Sequence, residues 1–409
     1  MSHVVCAAGS TLSILSLSCV YPNPAEPELG VFIRRRLQQL AGMSQLRVAA
    51  PFAIVKYGNP KGKRLRIGRA ECPKRQQDGP ILVMHPRWLY IPFGGWSTGL
   101  LLFLQLLYPL VRMRKYFPFE VIDTHFGYPD GIAGALLSMA LRVPFTMTLR
   151  GSEPKHARSR TGRLCMTWAL RRASRVFTVS ERLRQFAIGL GAGPEKVKTI
   201  PNGVDTSVFF PRDREACRKK YRLSADPVVL SAGALAIRKG HHRIVRALGE
   251  LTRKGMGVQL LIAGGPGPEG NYEPVIRRTV ADCGMEGRVH FLGTVNAEKM
   301  AEVMSAADIL CLASSNEGWP NVVHEALACG TPVVATDIGA IPEMLPGDRY
   351  GLIVPVDDDA ALRSGLQAAL LKTWDRAAIS AWGMARSWRQ VALEVLQEMQ
   401  SIVPEHQKS

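Results

Sequence analysis

The sequence predicts an α/β protein made of two doubly wound domains, each with a parallel β-sheet that is covered by helices on both faces. Three observations lead to this prediction. Short apolar runs alternate with amphipathic segments along the chain, which is the pattern of parallel strands joined by crossover helices. The 409 residues are enough for two domains of ordinary size. A polar and charged stretch at residues 205–222 interrupts the series once.

The predicted strands and helices follow one another in a regular order. In the first half the strand candidates are Ile14–Val20, Leu46–Ala50, Ile81–Met84, Val121–Thr124, Phe145–Leu149, Val176–Val179 and Lys198–Ile200. In the second half they are Val228–Ala232, Val258–Ala263, Val289–Leu292, Ile309–Leu312, Val333–Thr336 and Gly351–Val354. The helix candidates include Phe32–Leu40, Gly131–Leu141, Arg243–Thr252, Ala297–Ala306, Asp359–Leu371 and the segment 382–402.

The chain divides into three predicted segments. Residues 1–207 form a first domain, residues 208–385 form a second, and residues 386–409 form a terminal helix that is expected to pack back on the first domain. Two such domains in sequence leave a cleft between the carboxyl edges of their sheets. We expect the domains to face each other across this cleft and to hold one substrate each.

All of the excess positive charge lies in the first half of the chain. Residues 1–205 contain 29 Lys or Arg and 11 Asp or Glu, a balance of +18, whereas residues 206–409 contain 23 of each kind. A basic field of this kind favours anionic lipid, phosphate-bearing substrates or nucleic acid. A solvated basic surface is the plainer alternative. We predict that this half meets an anionic membrane surface.

Three features bear on the compartment. The eight cysteines are scattered without a Cys-x-x-Cys motif, which indicates a reducing environment. The N-terminus has no basic region, and serines interrupt its apolar stretch, so no signal peptide is predicted. Residues 100–111 are apolar, too short to span a bilayer and followed by basic residues, so they form either a core helix or a helix in the membrane interface. We predict a cytoplasmic protein on the inner face of the plasma membrane.

The most informative segment is residues 315–332, where Glu317 and Glu325 are eight residues apart. An apolar strand precedes it, Pro320 suits the first turn of a helix, and a glycine and a proline end that helix. Such a unit places a helix N-terminus at the carboxyl edge of a parallel sheet, where it favours a phosphate. A buried carboxylate requires partners, and sugar hydroxyls would serve.

With these motifs the chain resembles the family-4 retaining glycosyltransferases of the GT-B fold, which has two Rossmann-like domains. The likeness covers nearly the whole chain, is densest at residues 231–355, and includes the pair Glu317 and Glu325 as the two-glutamate motif. Within the family, the chain is most similar to bacterial enzymes that build surface polysaccharide or teichuronic-acid-like polymers. The resemblance implies retaining transfer from a nucleotide-diphosphate sugar, with no cofactor and no metal ion.

The resemblance also implies roles for individual residues of the second domain. The second glutamate of the family motif binds the ribose hydroxyls of the donor, and the first lies beside the donor sugar, which implies these roles for Glu325 and Glu317. Asn321 and Val322 would meet the diphosphate through their N–H groups, and Phe291 would present backbone groups to the base. The other second-domain positions assigned to nucleotide-sugar binding are Gly233, Gly318 and Pro320, and Gly30 of the first domain is assigned to it as well.

Two cations are expected to neutralise the leaving diphosphate in place of a metal ion. In the loop at residues 231–240 the family carries an arginine just after a glycine and a lysine five residues later. Lys239 matches the lysine, whereas Ala234 stands at the arginine position, and Arg238 is the candidate substitute. The acidic run at residues 357–359 is predicted to lead into a helix rather than to bind a metal ion.

Three positions of the first domain match the family as well. His125 resembles the histidine that touches the donor sugar, and Arg150 follows the next strand and is expected to face the cleft. Gly30 resembles a glycine of the first loop, where a missing side chain lets a ligand approach, although a plain turn glycine is the alternative. Residues 201–205 are predicted to be hinge structure.

The predicted function is transfer of a sugar from a nucleotide-diphosphate donor to a lipid-linked or polysaccharide acceptor, such as a polyprenyl-diphosphate-linked saccharide. The predicted catalytic residues are Glu317, Lys239, Arg238, His125 and Arg150. Three alternatives remain open: a sugar-nucleotide epimerase on the same fold, a basic protein that binds membrane or nucleic acid, and a sugar-binding relative without catalysis. The aromatic residues near the cations form no regular motif, so nucleic acid is not expected.

Overall fold

The computed structural model describes residues 11–57, 65–67, 72–89, 96–267 and 270–403. Contacts divide the chain into two compact units. Unit 1 runs to Pro201 and resumes at Trp388, and unit 2 spans Asn202–Ser387. The sequence predicts divisions after residues 207 and 385 instead.

Unit 1 contains most of the short strands. Its strands are β1 (Ser13–Leu17), β2 (Gln45–Ala49), β3 (Phe52–Ala53), β4 (Val55–Tyr57), β5 (Leu65–Ile67), β6 (Arg75–Asp78), β7 (Ile81–Met84), β8 (Arg87–Trp88), β9 (Val121–His125), β10 (Phe145–Leu149), β11 (Arg175–Thr178) and β12 (Val197–Thr199). Its α-helices up to Pro201 are α1 (Val31–Ala41), α2 (Trp96–Arg114), α3 (Ile132–Leu141), α4 (Glu153–His156), α5 (Arg160–Arg172) and α6 (Glu181–Gly189).

Unit 2 alternates strands and helices regularly. Its strands are β13 (Val228–Ala232), β14 (Gln259–Ala263), β15 (Val289–Gly293), β16 (Ile309–Leu312), β17 (Val333–Thr336) and β18 (Gly351–Val354). Its α-helices are α7 (Arg214–Lys220), α8 (His241–Arg253), α9 (Glu273–Asp282), α10 (Ala297–Ala306), α11 (Asn321–Ala328), α12 (Ile341–Met344), α13 (Asp359–Leu371) and α14 (Arg376–Met384). Helix α15 (Trp388–Gln400) follows and belongs to unit 1.

Both sheets reverse their strand order at one place. The sheet of unit 1 has the order β12-β11-β10-β9-β1-β2-β7-β6, with an antiparallel β6–β7 pair and parallel neighbours elsewhere. The sheet of unit 2 is parallel and has the order β15-β14-β13-β16-β17-β18. The order therefore reverses between β1 and β9, and between β13 and β16. In doubly wound folds, ligands bind outside the carboxyl ends of the strands at such points.

The core of unit 1 covers both faces of its sheet. Leu15 packs in a cluster with α2, α3 and α5, whereas its neighbour Ile14 packs in a cluster with α1 and α15. This alternation is expected because successive side chains of a strand point to opposite faces. The predicted fold class, an α/β protein with two doubly wound units, is confirmed. Within the described ranges, no helix combines the length and the apolarity needed to cross a membrane.

Several predicted ends differ from the structure by one or two residues, and two predicted elements differ by more, each for a local reason. The first strand ends at Leu17 rather than at Val20, because the Ser18 hydroxyl bonds to the backbone of Val20 and turns the chain. The predicted helix at residues 382–402 is broken between α14 and α15. There the Val204 amide bonds to the Arg386 carbonyl oxygen at 3.0 Å, and the chain then leaves unit 2.

Candidate active site

The loops after β13 and β16 meet where the strand order of unit 2 reverses. The Ser315 amide donates a hydrogen bond to the Arg238 carbonyl oxygen at 2.8 Å. Gly240, at the end of the first loop, has a φ of 70°, and a Cβ atom there would lie 2.1 Å from the Ala313 carbonyl oxygen. A glycine is therefore required at position 240 for the two loops to pack together.

This packing brings Lys239 and Glu317 together. The Lys239 Nζ lies 2.5 Å from the Glu317 Oε1, and the Arg238 Nη1 lies 3.7 Å from the same oxygen. The side chains of Lys239 and Glu317 are each 13% exposed. The Lys239 stem passes over Gly233, where a Cβ atom would lie 3.4 Å from the Lys239 Cε. Arg238 and Lys239 thus both lie beside the Glu317 carboxylate, and the replacement of the arginine missing at Ala234 by Arg238 stays a prediction.

The Glu317 loop is fastened to the strand and loop beside it. The Ala340 amide donates to the Gly318 carbonyl oxygen at 3.1 Å. On the other side, the Thr336 hydroxyl donates to the Ser314 carbonyl oxygen at 2.5 Å. The backbone is therefore held both before and after Glu317, which limits where its carboxylate can go.

Helix α11 begins directly after this loop. Pro320 is its N-cap rather than part of its first turn, because the Pro320 carbonyl oxygen accepts the first helical bond, from the Val323 amide at 2.9 Å. No side chain of the described residues caps this helix. Its first turn carries the N–H groups of Asn321 and Val322, and Glu325 is half-buried in its second turn.

Asn202 forms a hydrogen bond with the first residue of α11, and the sequence did not reveal this contact. Its Nδ2 donates to the Asn321 Oδ1 at 3.0 Å. Residues 201–205 are predicted only as hinge structure, and a contact between residues 119 positions apart has no local sequence signal.

His241 is a second supporting residue that the sequence analysis missed. Its Nδ1 lies 2.7 Å from the Ser231 Oγ, and its Nε2 lies 3.2 Å from the Ala234 carbonyl oxygen. Burial lowers the pKa of His241 to about 4. The neutral ring therefore links β13 to the loop that carries Lys239.

Phe291 lies inside β15 rather than at its carboxyl end. The Arg277 guanidinium carbon lies 3.9 Å from the centre of its ring. The strand reaches the carboxyl edge at Gly293, whose carbonyl oxygen accepts from the Gly264 amide at 2.8 Å. The role of Phe291 towards a base stays a prediction.

The predicted residues of unit 1 lie at the carboxyl edge of their own sheet. Gly30 precedes α1, His125 ends β9 and Arg150 follows β10. Gly30 has a φ of 73°, and a Cβ atom there would lie 2.5 Å from the Val20 carbonyl oxygen. The protein's own backbone therefore requires a glycine at position 30. The sequence suggested a different reason, namely that a ligand approaches there.

His125 is fully buried, whereas the resemblance implies contact with the donor sugar. Its Nε2 lies 3.0 Å from the Ser16 Oγ and 3.2 Å from an Asp123 carboxylate oxygen, and its Nδ1 lies 3.1 Å from the Arg150 Nη2. Burial and then the nearby Arg36 lower the pKa of His125 to about 3, so the ring is neutral. No local pattern reveals such a cluster, because its members come from separate elements.

The buried carboxylate of Glu153 holds the loop that carries Arg150. It accepts hydrogen bonds of 2.7 to 3.2 Å from the amides of Gly127, Arg150 and Gly151. The Arg150 guanidinium carbon lies 5.1 Å from the centre of the Phe32 ring, which is a cation–π distance. The backbone of Arg150 is thus held by Glu153, whereas its guanidinium group contacts Phe32.

A cavity of about 120 Å³ lies beside this edge, at the carboxyl ends of β1 and β2. Its lining includes Tyr21, Phe52, His85 and Trp88. It suits one ring or a short chain rather than a whole nucleotide.

The acidic run at residues 357–359 leads into a helix, as predicted. Asp358 caps α13 by accepting from the Ala361 amide at 2.8 Å, and its two neighbours pair with Arg243 at 2.8 and 2.6 Å. In the part of the chain that the structure describes, no group of three His, Cys, Asp or Glu side chains is placed to hold a metal ion.

Two doubly wound units with charged groups at each carboxyl edge define the GT-B class of fold. Residues 67–208 match the family model described as Glycosyltransferase Family 4, and residues 213–383 match the model described as Glycosyl transferases group 1. Both consecutive segments therefore match models of glycosyltransferase families, the first over 142 residues and the second over 171 residues.

Several named proteins are similar to the chain in sequence. The D-inositol 3-phosphate glycosyltransferase of Mycobacteroides abscessus is 40% identical over 166 residues, which are 40% of this chain and 37% of that protein. The 2-deoxystreptamine glucosyltransferase of Streptomyces kanamyceticus is 29% identical over 316 residues, which are 71% of this chain and 79% of that protein. The chain spans 37% to 63% of the first four such relatives, less than two thirds of each.

Solved structures share the fold over almost the whole chain. A sucrose-phosphate synthase from Thermosynechococcus elongatus superposes with a TM-score of 0.74 at 21% identity and covers 96% of this chain and 99% of its own. HepE from Anabaena, solved in complex with UDP, superposes with a TM-score of 0.74 at 20% identity and covers 96% of this chain and all of its own. At these identities the likeness establishes the fold alone.

Proposed function

We propose that the protein transfers a sugar from a nucleotide-diphosphate donor to an acceptor hydroxyl, with retention of configuration at the anomeric carbon. The observation that carries the proposal is the pairing of Lys239 with Glu317 at the strand reversal of unit 2, directly before the N-terminus of α11. A cation, a carboxylate and a helix N-terminus together suit a sugar diphosphate.

In this proposal unit 2 binds the donor. The diphosphate lies against Lys239, Arg238 and the N–H groups of the first turn of α11. Glu325 accepts the ribose hydroxyls, and Glu317 accepts sugar hydroxyls. The complex of HepE with UDP, a protein of the same fold, favours a uridine donor.

The proposed chemistry needs no metal ion. The bond between the anomeric carbon and the diphosphate oxygen breaks, and the acceptor oxygen bonds to the same face of the sugar ring. The leaving phosphate oxygen takes the acceptor proton. Lys239 and Arg238 stabilise the charge of the leaving group, and Glu317 stabilises positive charge on the ring.

The proposed acceptor carries phosphate and binds to unit 1, because this half of the chain holds the whole excess of positive charge. One candidate is a lipid-linked saccharide of cell-surface glycan synthesis. A second is a small phosphorylated cyclitol, which is favoured by the relatives named as D-inositol 3-phosphate glycosyltransferases. Both classes carry a phosphate and at least one free hydroxyl.

The outer face of α2 favours the lipid-linked acceptor and an anionic membrane surface. Its inner stripe is buried, but Leu104 and Tyr108 on the outer stripe are 56% and 74% exposed. Residues 79–119 and 154–180, which include α2 and α5, contain no Asp or Glu. Exposed apolar side chains together with basic residues, and without acidic ones, are typical of helices that lie in a membrane interface. We therefore place the protein on the cytoplasmic face of the plasma membrane.

The donor proposal is tested by thermal shift with UDP-, GDP- and ADP-sugars, since a ligand of the folded state must raise its stability. Labelled donor is then incubated with a membrane lipid fraction, with inositol 3-phosphate, or alone. Nucleotide release that requires an acceptor excludes an epimerase. The Glu325→Ala variant should mainly lose donor affinity, and Lys239→Ala should mainly lose turnover. Parent-like transfer by both variants would refute the assignment.

A further inference from the structure

The cavity of unit 1 lies at the carboxyl ends of β1 and β2 and has a volume of about 120 Å³. Strand β1 borders the place where the strand order of this sheet reverses, which is where doubly wound folds bind ligands. Three buried aromatic side chains, those of Tyr21, Phe52 and Trp88, line the cavity. A lining that is largely aromatic suits a small ligand with an apolar face.

Hydrogen bonds to the surrounding protein hold two walls of this cavity. The Tyr21 hydroxyl donates to the buried carboxylate of Asp78 at 2.8 Å. The His85 Nδ1 lies 3.0 Å from the Ala50 carbonyl oxygen, and its Nε2 lies 3.0 Å from the Gln76 side chain oxygen. The polar atoms of Tyr21 and His85 thus bond to the protein, so both residues offer ring surface to the cavity. Walls that are already held bind a ligand with little further ordering.

The half-buried Glu26 contributes a carboxylate to the lining of the cavity. The backbone of its loop is held by Asn23, whose side chain oxygen accepts from the Ala25 and Glu26 amides at 3.1 and 3.2 Å. Burial lowers the pKa of His85 and raises the pKa of the Cys19 thiol, so both groups are neutral at pH 7. Among the described residues that line the cavity, Glu26 is therefore the only charged one.

These features match the two kinds of surface on a pyranose ring. Its C–H groups form apolar faces that can pack on aromatic rings, and its hydroxyls can donate to a carboxylate. We propose that the cavity binds the uncharged terminal sugar of the acceptor, with Glu26 accepting its hydroxyls and the three aromatic residues packing on its faces. This inference rests on the proposed function, because it assigns the cavity to the acceptor of the same transfer reaction.

The same features disfavour a ring that itself carries phosphate. The Glu26 carboxylate repels a phosphate, and aromatic walls remove water from it without replacing the lost hydrogen bonds. In the described part of the lining, no lysine or arginine offsets this cost. In a lipid-linked saccharide the phosphate lies at the other end of the glycan and stays outside the cavity. The cavity therefore selects such a saccharide rather than a ring-phosphorylated cyclitol.

Occupation of the cavity is measured by saturation-transfer NMR on the full-length protein without a donor. The ligands are the methyl glycosides of glucose, galactose, mannose and N-acetylglucosamine, each with inositol 3-phosphate as a competitor. The Ala53→Leu variant fills the cavity, because Ala53 belongs to its lining. We expect at least one glycoside to bind the parent, to bind Ala53→Leu at least tenfold more weakly, and to stay bound at an equal concentration of inositol 3-phosphate.

Three results would overturn the inference. They are the failure of all four glycosides to bind, equal binding by the parent and Ala53→Leu, and displacement of the glycoside by inositol 3-phosphate. The melting temperature of each protein shows whether it is folded. If Ala53→Leu does not fold, Ala50→Val, which fills less of the same cavity, takes its place.

The role of Glu26 is measured with a matched control from the same loop. Glu28 is exposed and is not among the described lining residues. Glu26→Gln should raise the KM for the octyl form of the bound glycoside at least tenfold, because a carboxamide accepts hydroxyls through one oxygen only. Its kcat and its UDP affinity should not change, and Glu28→Gln should keep the parent KM. An equal KM for the two variants, or a loss of kcat alone in Glu26→Gln, would refute the role of Glu26.

These experiments separate the inference from the proposed function, because the NMR measurement needs neither a donor nor transfer. A parent protein that binds a glycoside in the cavity, but binds no nucleotide sugar and transfers none, would refute the proposed function alone. Transfer to the octyl glycoside with the parent KM in Ala53→Leu would refute the assignment of the cavity and leave the proposed function standing.

Discussion

The Lys239 Nζ lies 2.5 Å from the Glu317 Oε1, although 78 residues separate the two in the chain. The carboxylate thus already holds the cation that the proposed diphosphate would use. In the proposed function, donor binding shares Lys239 between two anions, and we expect this competition to influence both the affinity for the leaving group and the position of Glu317 beside the sugar.

Replacing Glu317 with Gln should separate these two effects. Without the competing carboxylate, we expect nucleoside diphosphate to bind about 3- to 10-fold more tightly, or ~1 kcal/mol. Sugar transfer should fall roughly 100-fold or more, because charge on the ring is no longer stabilised. Calorimetry with UDP and a transfer assay measure the two quantities. Glu298→Gln, which removes an exposed partner of Arg212, is the control, and weaker UDP binding by Glu317→Gln would contradict the sharing of Lys239.

Replacing Gly233 with Ala should disturb Lys239 through its side chain stem. Gly233 has a φ of 143°, which other residues rarely adopt, and the new Cβ would contact the Lys239 Cε. We expect a stability loss of about 1–3 kcal/mol and slower transfer. Gly255→Ala is the control, because Gly255 has a φ of 91° but nothing within 4 Å of the added atom. It should lose stability and keep its transfer rate; if Gly233→Ala behaves in the same way, the contact with Lys239 has no catalytic importance.

Acidification should destabilise unit 2 through two buried histidines. Burial lowers the pKa of His241 and of His324 to about 4, below the value of about 6.5 for an exposed histidine. Between about pH 4 and 6.5 the unfolded chain therefore binds protons that the folded chain does not, so the free energy of unfolding falls as the pH falls. Each histidine contributes up to about 1.4 kcal/mol per pH unit.

The measurement is urea unfolding at several values between pH 4.5 and 7.5. His241→Gln and His324→Gln should each show a smaller pH slope than the parent, whereas His290→Gln, at an exposed position of β15, should keep the parent slope. Asp130 has the opposite effect, because burial raises its pKa to about 7, but it is common to all variants and cancels in the comparison. Parallel curves for all three variants would contradict the prediction.

The outer face of α2 should govern binding to anionic membranes. We expect the parent to bind vesicles that contain phosphatidylglycerol more tightly than neutral phosphatidylcholine vesicles, with loss at high salt. The double variant Leu104→Ser and Tyr108→Ser should bind at least tenfold more weakly. Burying each of these exposed side chains in the interface stabilises the bound state by about 1–3 kcal/mol.

The control for this experiment is Leu371→Ser, because Leu371 is 71% exposed but lies on α13 of unit 2. Co-sedimentation with vesicles measures all three proteins. Equal loss in the control and test variants would exclude α2 as the membrane surface. Salt-dependent binding to oligonucleotides, without binding to vesicles, would favour a nucleic-acid partner instead.

Much of the fold could be predicted because buried parallel strands are continuous apolar runs. Ile81–Met84, Phe145–Leu149, Ile309–Leu312 and Val333–Thr336 have the predicted bounds. The first strand was overextended because a side chain hydroxyl, rather than a change in apolarity, ends it at Leu17. Pro320 was placed one residue too far into its helix for a similar reason, since an N-cap is defined by its backbone bond.

In the candidate site the residue types were predictable, and their partners were not. Glu317, Lys239 and Arg238 carry charges whose positions in the motif were visible in the sequence, and the structure brings these three together. His241, Asn202 and Asp123 were missed, because each supports a site residue from a distant part of the chain. A lone histidine or asparagine has no pattern that distinguishes such a role.

The sequence by itself determined the alternation of strands and helices, the placement of charged residues after the strands, and the concentration of positive charge in one half, because all three are local properties of the chain. Only the tertiary structure decided that Glu317 pairs with Lys239 and that His125 is enclosed by Asp123 and Arg150. It also decided that Gly30 is required because the Val20 carbonyl oxygen leaves no room for a Cβ atom. These outcomes depend on which strands become neighbours at the reversal points of the two sheets. That arrangement joins side chains tens of residues apart, and the burial that follows sets their charge states.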